Sequence, residues 1–74
     1  SDITNYENLA NAIILQAGKD YRMALKSLKA NPRNRTAKAD KDEIERFFCS
    51  GWFSVLTSVD GEMLIRSLKM EVDA

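Results

Sequence analysis

Apolar residues in the first third of the chain fall at Tyr6, Leu9, Ala10, Ile13, Ala17, Tyr21, Ala24 and Leu28. At about 100° per residue these positions make one broad helical face, with Ile14 and Leu25 at its edge. Thr4 followed by Glu7 reads as a capping box, in which the hydroxyl accepts from the Glu7 amide and the carboxylate reaches back. A first helix is therefore predicted over about residues 5–29. Gly18 weakens it by about 1 kcal/mol relative to alanine, which suggests close packing or a bend. Lys26 and Lys29 suit the negative end of its dipole.

Asn31-Pro32 ends that helix and can open the next, because proline disfavours helical geometry at the residue before it and fits the first helical position. The second helix is predicted over about residues 32–50, starting at the latest near Asp40, where Asp40 and Glu43 form another possible capping box. Ala37, Ile44, Phe47, Phe48, Gly51 and Val55 share its apolar face. Ser50-Gly51 is read as a break, leaving Trp52 to Leu56 as a short extra helix, with one continuous helix through Leu56 as the alternative. Thr57, Ser58, Asp60 and Gly61 make a turn. Asp60 then caps a last helix over about residues 61–72, with Leu64, Leu68 and Val72 at four-residue spacing and Ile65 beside them. Only Val55 to Val59 is strand-like, and one short strand has nothing to pair with. The fold class is all-α, a bundle of three main helices made antiparallel by short connections.

Seventy-four residues make one domain, 1–74, whose core supplies only about 3–5 kcal/mol of net stability. A partner or a second copy would add to that. Phe47, Phe48, Trp52 and Phe53 supply the bulk such a core needs. Trp52 is expected to stay partly exposed, because its indole N–H needs a partner. Cys49 has no second cysteine and, among these aromatics, is expected to be a buried small apolar residue, which fits a reducing compartment. The longest apolar run, Ala12 to Leu15, is too short to cross a bilayer, and no signal-like charged and apolar stretch opens the chain. A soluble, cytoplasmic protein is the expectation.

The net charge of zero hides an asymmetry. Lys19, Arg22, Lys26, Lys29, Arg33, Arg35 and Lys38 are opposed within their stretch only by Asp20, a net +6, while the remainder of the chain carries −6. Such a dipolar layout bears on partner choice and association rate.

Candidate chemistry is sparse. The chain has no histidine, which removes most acid–base relays and leaves Cys49 without a histidine base. Asp42, Glu43 and Glu45, interleaved with Lys41 and Arg46, read as a solvated face with local ion pairs. If Gly61 took the sixth place of a calcium loop, Leu56 and Ser67 would stand where acids are required. No glycine-rich phosphate loop exists. The chain is therefore read as a non-enzyme with no cofactor, no metal site and no small-molecule substrate.

Two resemblances bear on function. Tyr6 to Ala12, Asp20-Tyr21, Ala24-Leu25 and Asn31-Pro32 look like a tetratricopeptide repeat. Extra residues lie before the proline, however, only Gly18 offers a helix–turn–helix break, and no second repeat follows. The pattern Phe47-Phe48…Trp52-Phe53…Val59-Asp60-Gly61, with Ala12 to Ala17 and Asp20-Tyr21-Arg22 ahead of it, resembles small proteins encoded in prophages and integrative elements of Gram-positive bacteria. That resemblance spans Tyr6 to about Val72. It implies a bacterial cytoplasmic setting and a mobile-element origin, and transfers no functional residue.

Opposite the apolar face of the first helix lie Leu15, Lys19, Arg22, Met23 and Lys26, a mixed apolar and basic patch suited to docking a protein. A non-catalytic protein-binding module, for instance an inhibitor of a host protein, is the leading expectation. Alternatively the cations Lys19, Arg22, Lys26, Lys29, Arg33, Arg35 and Lys38 follow the phosphates of DNA or RNA. Against this, the remaining −6 repels nucleic acid and no aromatics interleave the stretch. A third reading makes Leu15 and Met23 the seam of a self-associating structural protein. The face can also be simply solvated.

Overall fold

The computed structural model describes residues 1–74 as four helices: α1 Asp2–Ala30, α2 Arg35–Phe48, α3 Gly51–Leu56 and α4 Gly61–Asp73. They take up 84% of the chain, with no strand, so the all-α bundle of three main helices plus one short extra helix is what the chain adopts. At 1.5 Å per residue α1 is about 43 Å long, against 45 Å for the long axis of the molecule. α2 and α4, at about 20 Å each, cover only part of it. α2 runs back along α1 after the turn at Asn31–Asn34, and its Glu45 and Phe48 meet Tyr21 of α1. α4 runs in the same direction as α1, starting against Phe48 and ending at Lys29. α3 turns the chain between them.

Local hydrogen bonding sets the helix ends. α1 starts earlier than predicted because Ser1, rather than Thr4, is the N-cap: the Ser1 hydroxyl accepts from the Thr4 amide at 3.3 Å. Thr4 is the third residue of the helix, its amide capped by Ser1, and Glu7 lies inside the helix, where its amide needs no cap. α2 starts later than predicted. Asn31 is the C-cap of α1, and its Oδ1 accepts from the Arg33 amide in a tight turn that holds Pro32 outside any helix. Asn34 is the true N-cap of α2, accepting from the Ala37 amide at 3.0 Å. Asp40 and Glu43 fall mid-helix. The break near Ser50 is present: its hydroxyl donates to the Phe47 carbonyl and accepts from the Phe53 amide, closing one helix and opening the next. Asp60 caps α4 through the Glu62 and Met63 amides.

The core is Tyr21, Phe48, Phe53 and Leu68, one or more residues from every helix, with Ile14, Ala17, Leu25, Ile44, Phe47, Leu64 and Ile65 packed around it. Burying these four side chains is worth roughly 6–12 kcal/mol before chain entropy is counted. Phe48 sits edge-on to both Tyr21 and Phe53, with centroids 5.9 and 5.5 Å apart, a geometry that adds to the area term. The core is nonetheless small. Only 8 of the 74 residues are buried, and eleven large apolar side chains stay exposed.

Several of the exposed residues correct the sequence reading. The break at Ser50 redirects the chain, so Phe53 takes the inward position while Gly51 and Val55 leave the face they were expected to share with Phe48. Trp52 goes further than partial exposure, at 76%. Cys49, the C-cap of α2, is exposed as well. Tyr6 and Leu9 lie on the apolar face of α1, but at a level α2 and α4 do not reach, and no residue from Ser1 to Leu9 is buried. Gly18 does not interrupt α1 and marks no close approach: a Cβ there would meet only Arg22 Nη1, at 3.7 Å.

Candidate functional site: an acid-rimmed groove between α1 and α2

A broad concavity lies where α2 crosses α1, a groove of about 800 Å³. Its floor arises from small residues on both helices. Ala17 and Ala24 of α1 and Ala37 of α2 line it together with Ile13, Ile44 and Phe47, and the small side chains leave the trough open. Met23, 67% exposed, stands on the α1 wall. The three ionisable residues lining the groove are all acids, Asp20 on α1 and Asp40 and Glu43 on α2. Gln16 donates to the Asp20 carboxylate at 2.9 Å and fixes its position. An apolar floor beneath an all-acidic rim is the complement of an amphipathic helix carrying cations beside its apolar stripe.

Of the residues expected to bind protein, only Met23 opens onto this groove. Leu15, Lys19 and Lys26 are exposed on another side of α1. Arg22 is engaged by Glu71 in an ion pair that ties α1 to α4 and holds the Glu71 carboxyl below its ordinary range. The sequence reading missed Asp20, Asp40 and Glu43 as a set, because the first is isolated among cations and the other two resemble any solvated helix surface.

Two cations of the basic stretch are paired with acids: Lys38 with Asp42 at 2.8 Å, and Arg22 with Glu71. Lys19, Lys26, Lys29, Arg33 and Arg35 remain without an acid partner, although the Lys29 ammonium donates to the Val72 carbonyl at 3.2 Å. The first three sit on α1, and the other two beyond its C-terminal end. A nucleic-acid surface built from all seven is therefore reduced to five unpaired cations.

One polar cluster joins α1, α2 and α4. The Tyr21 hydroxyl donates to Glu45 at 2.6 Å, while Lys41 and Lys69 approach the same carboxylate oxygen at 2.9 and 3.8 Å. Burial, reinforced by the bond to Glu45, pushes the Tyr21 phenol well above its ordinary range. Burial opposes the Glu45 charge, but the bonds from Tyr21 and Lys41 outweigh it and the carboxyl is held low. Near neutral pH the phenol keeps its proton and the carboxylate its charge, so the pair is arranged to brace three helices. No three of the Cys, Asp and Glu side chains converge closely enough to hold a metal ion.

The chain matches no protein-family model, no curated protein and no solved structure. The site therefore has to be read from its own chemistry. No helix is long and apolar enough to cross a membrane.

Proposed function

We propose that this chain is a non-catalytic binding module that receives an amphipathic, basic helix of a partner protein in the α1/α2 groove. The observation that carries the reading is the coincidence of an apolar floor with a lining whose only ionisable residues are Asp20, Asp40 and Glu43. A helix laid in such a groove buries its apolar stripe, and its cations meet the rim without the cost of full desolvation. A chain that works by occupying a partner's helix fits an inhibitor or an adaptor. The resemblance to mobile-element proteins, with its bacterial cytoplasmic setting, is compatible with either.

Calorimetric titration with two synthetic helices tests this, one of leucine and lysine and one of leucine and glutamate with the same apolar stripe. The lysine helix is expected to bind and the glutamate helix not to. The triple reversal Asp20→Lys, Asp40→Lys, Glu43→Lys is expected to exchange that preference, since close opposite charges steer binding and like charges oppose it. Equal binding of both helices, or a preference unchanged by the reversal, removes the groove as the site. A nucleic-acid reading predicts instead an affinity that falls steeply with salt and weakens on reversal of Arg33 and Arg35.

A further inference from the structure

The groove follows both of its helices lengthwise. On α1 the lining residues Ile13, Ala17, Asp20, Ala24 and Ser27 recur at alternating four- and three-residue steps. On α2, Ala37, Asp40, Ile44 and Phe47 alternate in the same way. This is the seam spacing by which one α-helix packs along another. From Ile13 to Ser27 and from Asn34 to Phe47 the two walls are about 21 and 20 Å long, at 1.5 Å per residue. No residue of α4 lines the groove. α4 takes other residues of the same two helices, Arg22 and Lys29 on α1 and Glu45 on α2.

Charge along the groove is left uncompensated. Of the four acids on α2, Asp42 and Glu45 are engaged by Lys38, Lys41 and Lys69, whereas Asp40 and Glu43, the two in the groove, have no cation partner. Asp20 on α1 accepts only from the uncharged Gln16 amide. Asp40 and Glu43 stand three residues apart, so their like charges weaken α2 as it is. Two cations one turn apart on an incoming helix would relieve that repulsion. Bulk is missing as well. Ala17 and Ala24, seven residues apart, and Ala37 put three alanines along the lining, where a heptad seam ordinarily holds large branched side chains.

We infer that the partner helix is about four turns long, with large apolar residues at heptad spacing and cations on both flanks of that stripe. Two of the cations lie one turn apart against Asp40 and Glu43, and one lies against Asp20. The inference rests on the binding-module reading above and adds the length, bulk and charge register of the partner. About fourteen residues of helix span the 20 Å of the walls. Large side chains at the stripe fill the space the alanines leave, and such anchors carry helix-in-groove recognition. Cations on both flanks follow from acids on both walls, one from α1 and two from α2. A helix charged on one flank only can turn end for end to meet α2, and then leaves Asp20 unmatched. The exposed apolar start of α1 does not supply this helix from a second copy, since it carries Asp2 and Glu7 and no lysine or arginine before Lys19.

Titration calorimetry with alanine-rich synthetic helices of about 21 residues, long enough to be helical in water, tests this. In one series leucines fill the heptad stripe over two, four or six turns, with alanine along the rest of it and lysines on both flanks. Affinity is expected to rise about tenfold or more from two turns to four, and to stay level from four to six. In a second series four turns of leucine carry lysines on one flank or on both. Asp20→Asn is expected to weaken the two-flank helix about two- to fivefold and to leave the one-flank helix unchanged. Asp40→Asn with Glu43→Gln is expected to weaken both. All three positions are exposed, and far-ultraviolet circular dichroism checks the fold of each variant. Equal affinity for the three stripe lengths, a continued rise to six turns, or an Asp20→Asn chain that holds both helices as the parent does overturns this inference and leaves the binding-module reading standing. A chain that binds none of the lysine helices overturns both.

Discussion

Gly18 and Gly61 are both helical glycines, and the space around them gives their substitution opposite signs. At Gly18 an added methyl finds room, so Gly18→Ala recovers the helix propensity lost to glycine and is expected to stabilise the chain by about 0.5–1 kcal/mol in urea unfolding. At Gly61 a Cβ would overlap the Phe48 carbonyl oxygen and lie 2.8 Å from its carbon. Both obstacles are backbone, so α4 has to move off α2, and Gly61→Ala is expected to cost about 1–3 kcal/mol as overpacking does. Glu45 offers a pH-dependent measurement. Its carboxyl is lowered on folding, so its contribution is complete above the ordinary value of 4.5 and is lost as pH falls from there through the lower folded value. Glu45→Gln is expected to flatten the acid limb of the stability profile and to cost about 1–3 kcal/mol at neutral pH. Tyr21 works from the other side. Its phenol is raised on folding, so stability falls as pH climbs past 10.0, the ordinary value, a loss that Tyr21→Phe abolishes. The importance of Tyr21 was visible in the periodicity of α1. The exposure of Cys49 and Trp52 was not, because it depends on where the chain heads after α2, which composition does not specify.

At the level of helices, the caps decide the boundaries, and the caps separate what could be read in advance from what could not. The break at Ser50-Gly51 and the cap at Asp60 were legible because each is a short polar residue followed by a glycine between apolar segments. The entry to α1 was not, since Ser1 and Thr4 are equally good caps and only the extra turn gained distinguishes them. Asn31 and Asn34 posed the same ambiguity. Pro32 drew the start of α2 to the first of them, whereas the turn uses Asn31 to close α1 and leaves Asn34 to open α2. Ser50 is the most exacting of these residues, because one hydroxyl serves both the last turn of α2 and the first of α3. Ser50→Ala is expected to cost about 1–2 kcal/mol, and Ser50→Asn less than that since the amide retains an acceptor. α3 has only six residues, so its own hydrogen bonds cannot hold it without this cap and the burial of Phe53. Loss of the cap should therefore appear locally, as faster amide exchange in residues 51–56, before it appears as global unfolding.

For the molecule as a whole, the shape follows from the mismatch between one long helix and two short ones. The 3.6-residue period announced a long α1, but it could not say that α2 and α4 would cover only the C-terminal part of its apolar face. That is why Tyr6, Leu9 and Ile13 read as core from the sequence and lie open in the fold. The groove was illegible for a related reason: Asp20 is distant in sequence from Asp40 and Glu43 and joins their rim only when α2 crosses α1. Elongation follows as well, with a radius of gyration of 13.3 Å against about 11 Å for a compact chain of this length. Such a molecule keeps little stability in reserve, so any association that binds the folded state and not the unfolded one should raise its melting temperature by mass action. If the α1/α2 groove receives a helix, the transition of the wild-type chain is expected to move upward by several degrees as the concentration of the leucine and lysine helix rises a hundredfold. For a domain this small about 1 kcal/mol corresponds to roughly 4–8 °C. The Asp20→Lys, Asp40→Lys, Glu43→Lys chain, alike in its buried core, should melt at one temperature whatever the concentration of that helix. Differential scanning calorimetry of both across that range reads the coupling directly, because a chain whose stability came only from its own core would show no dependence on the added helix in either form.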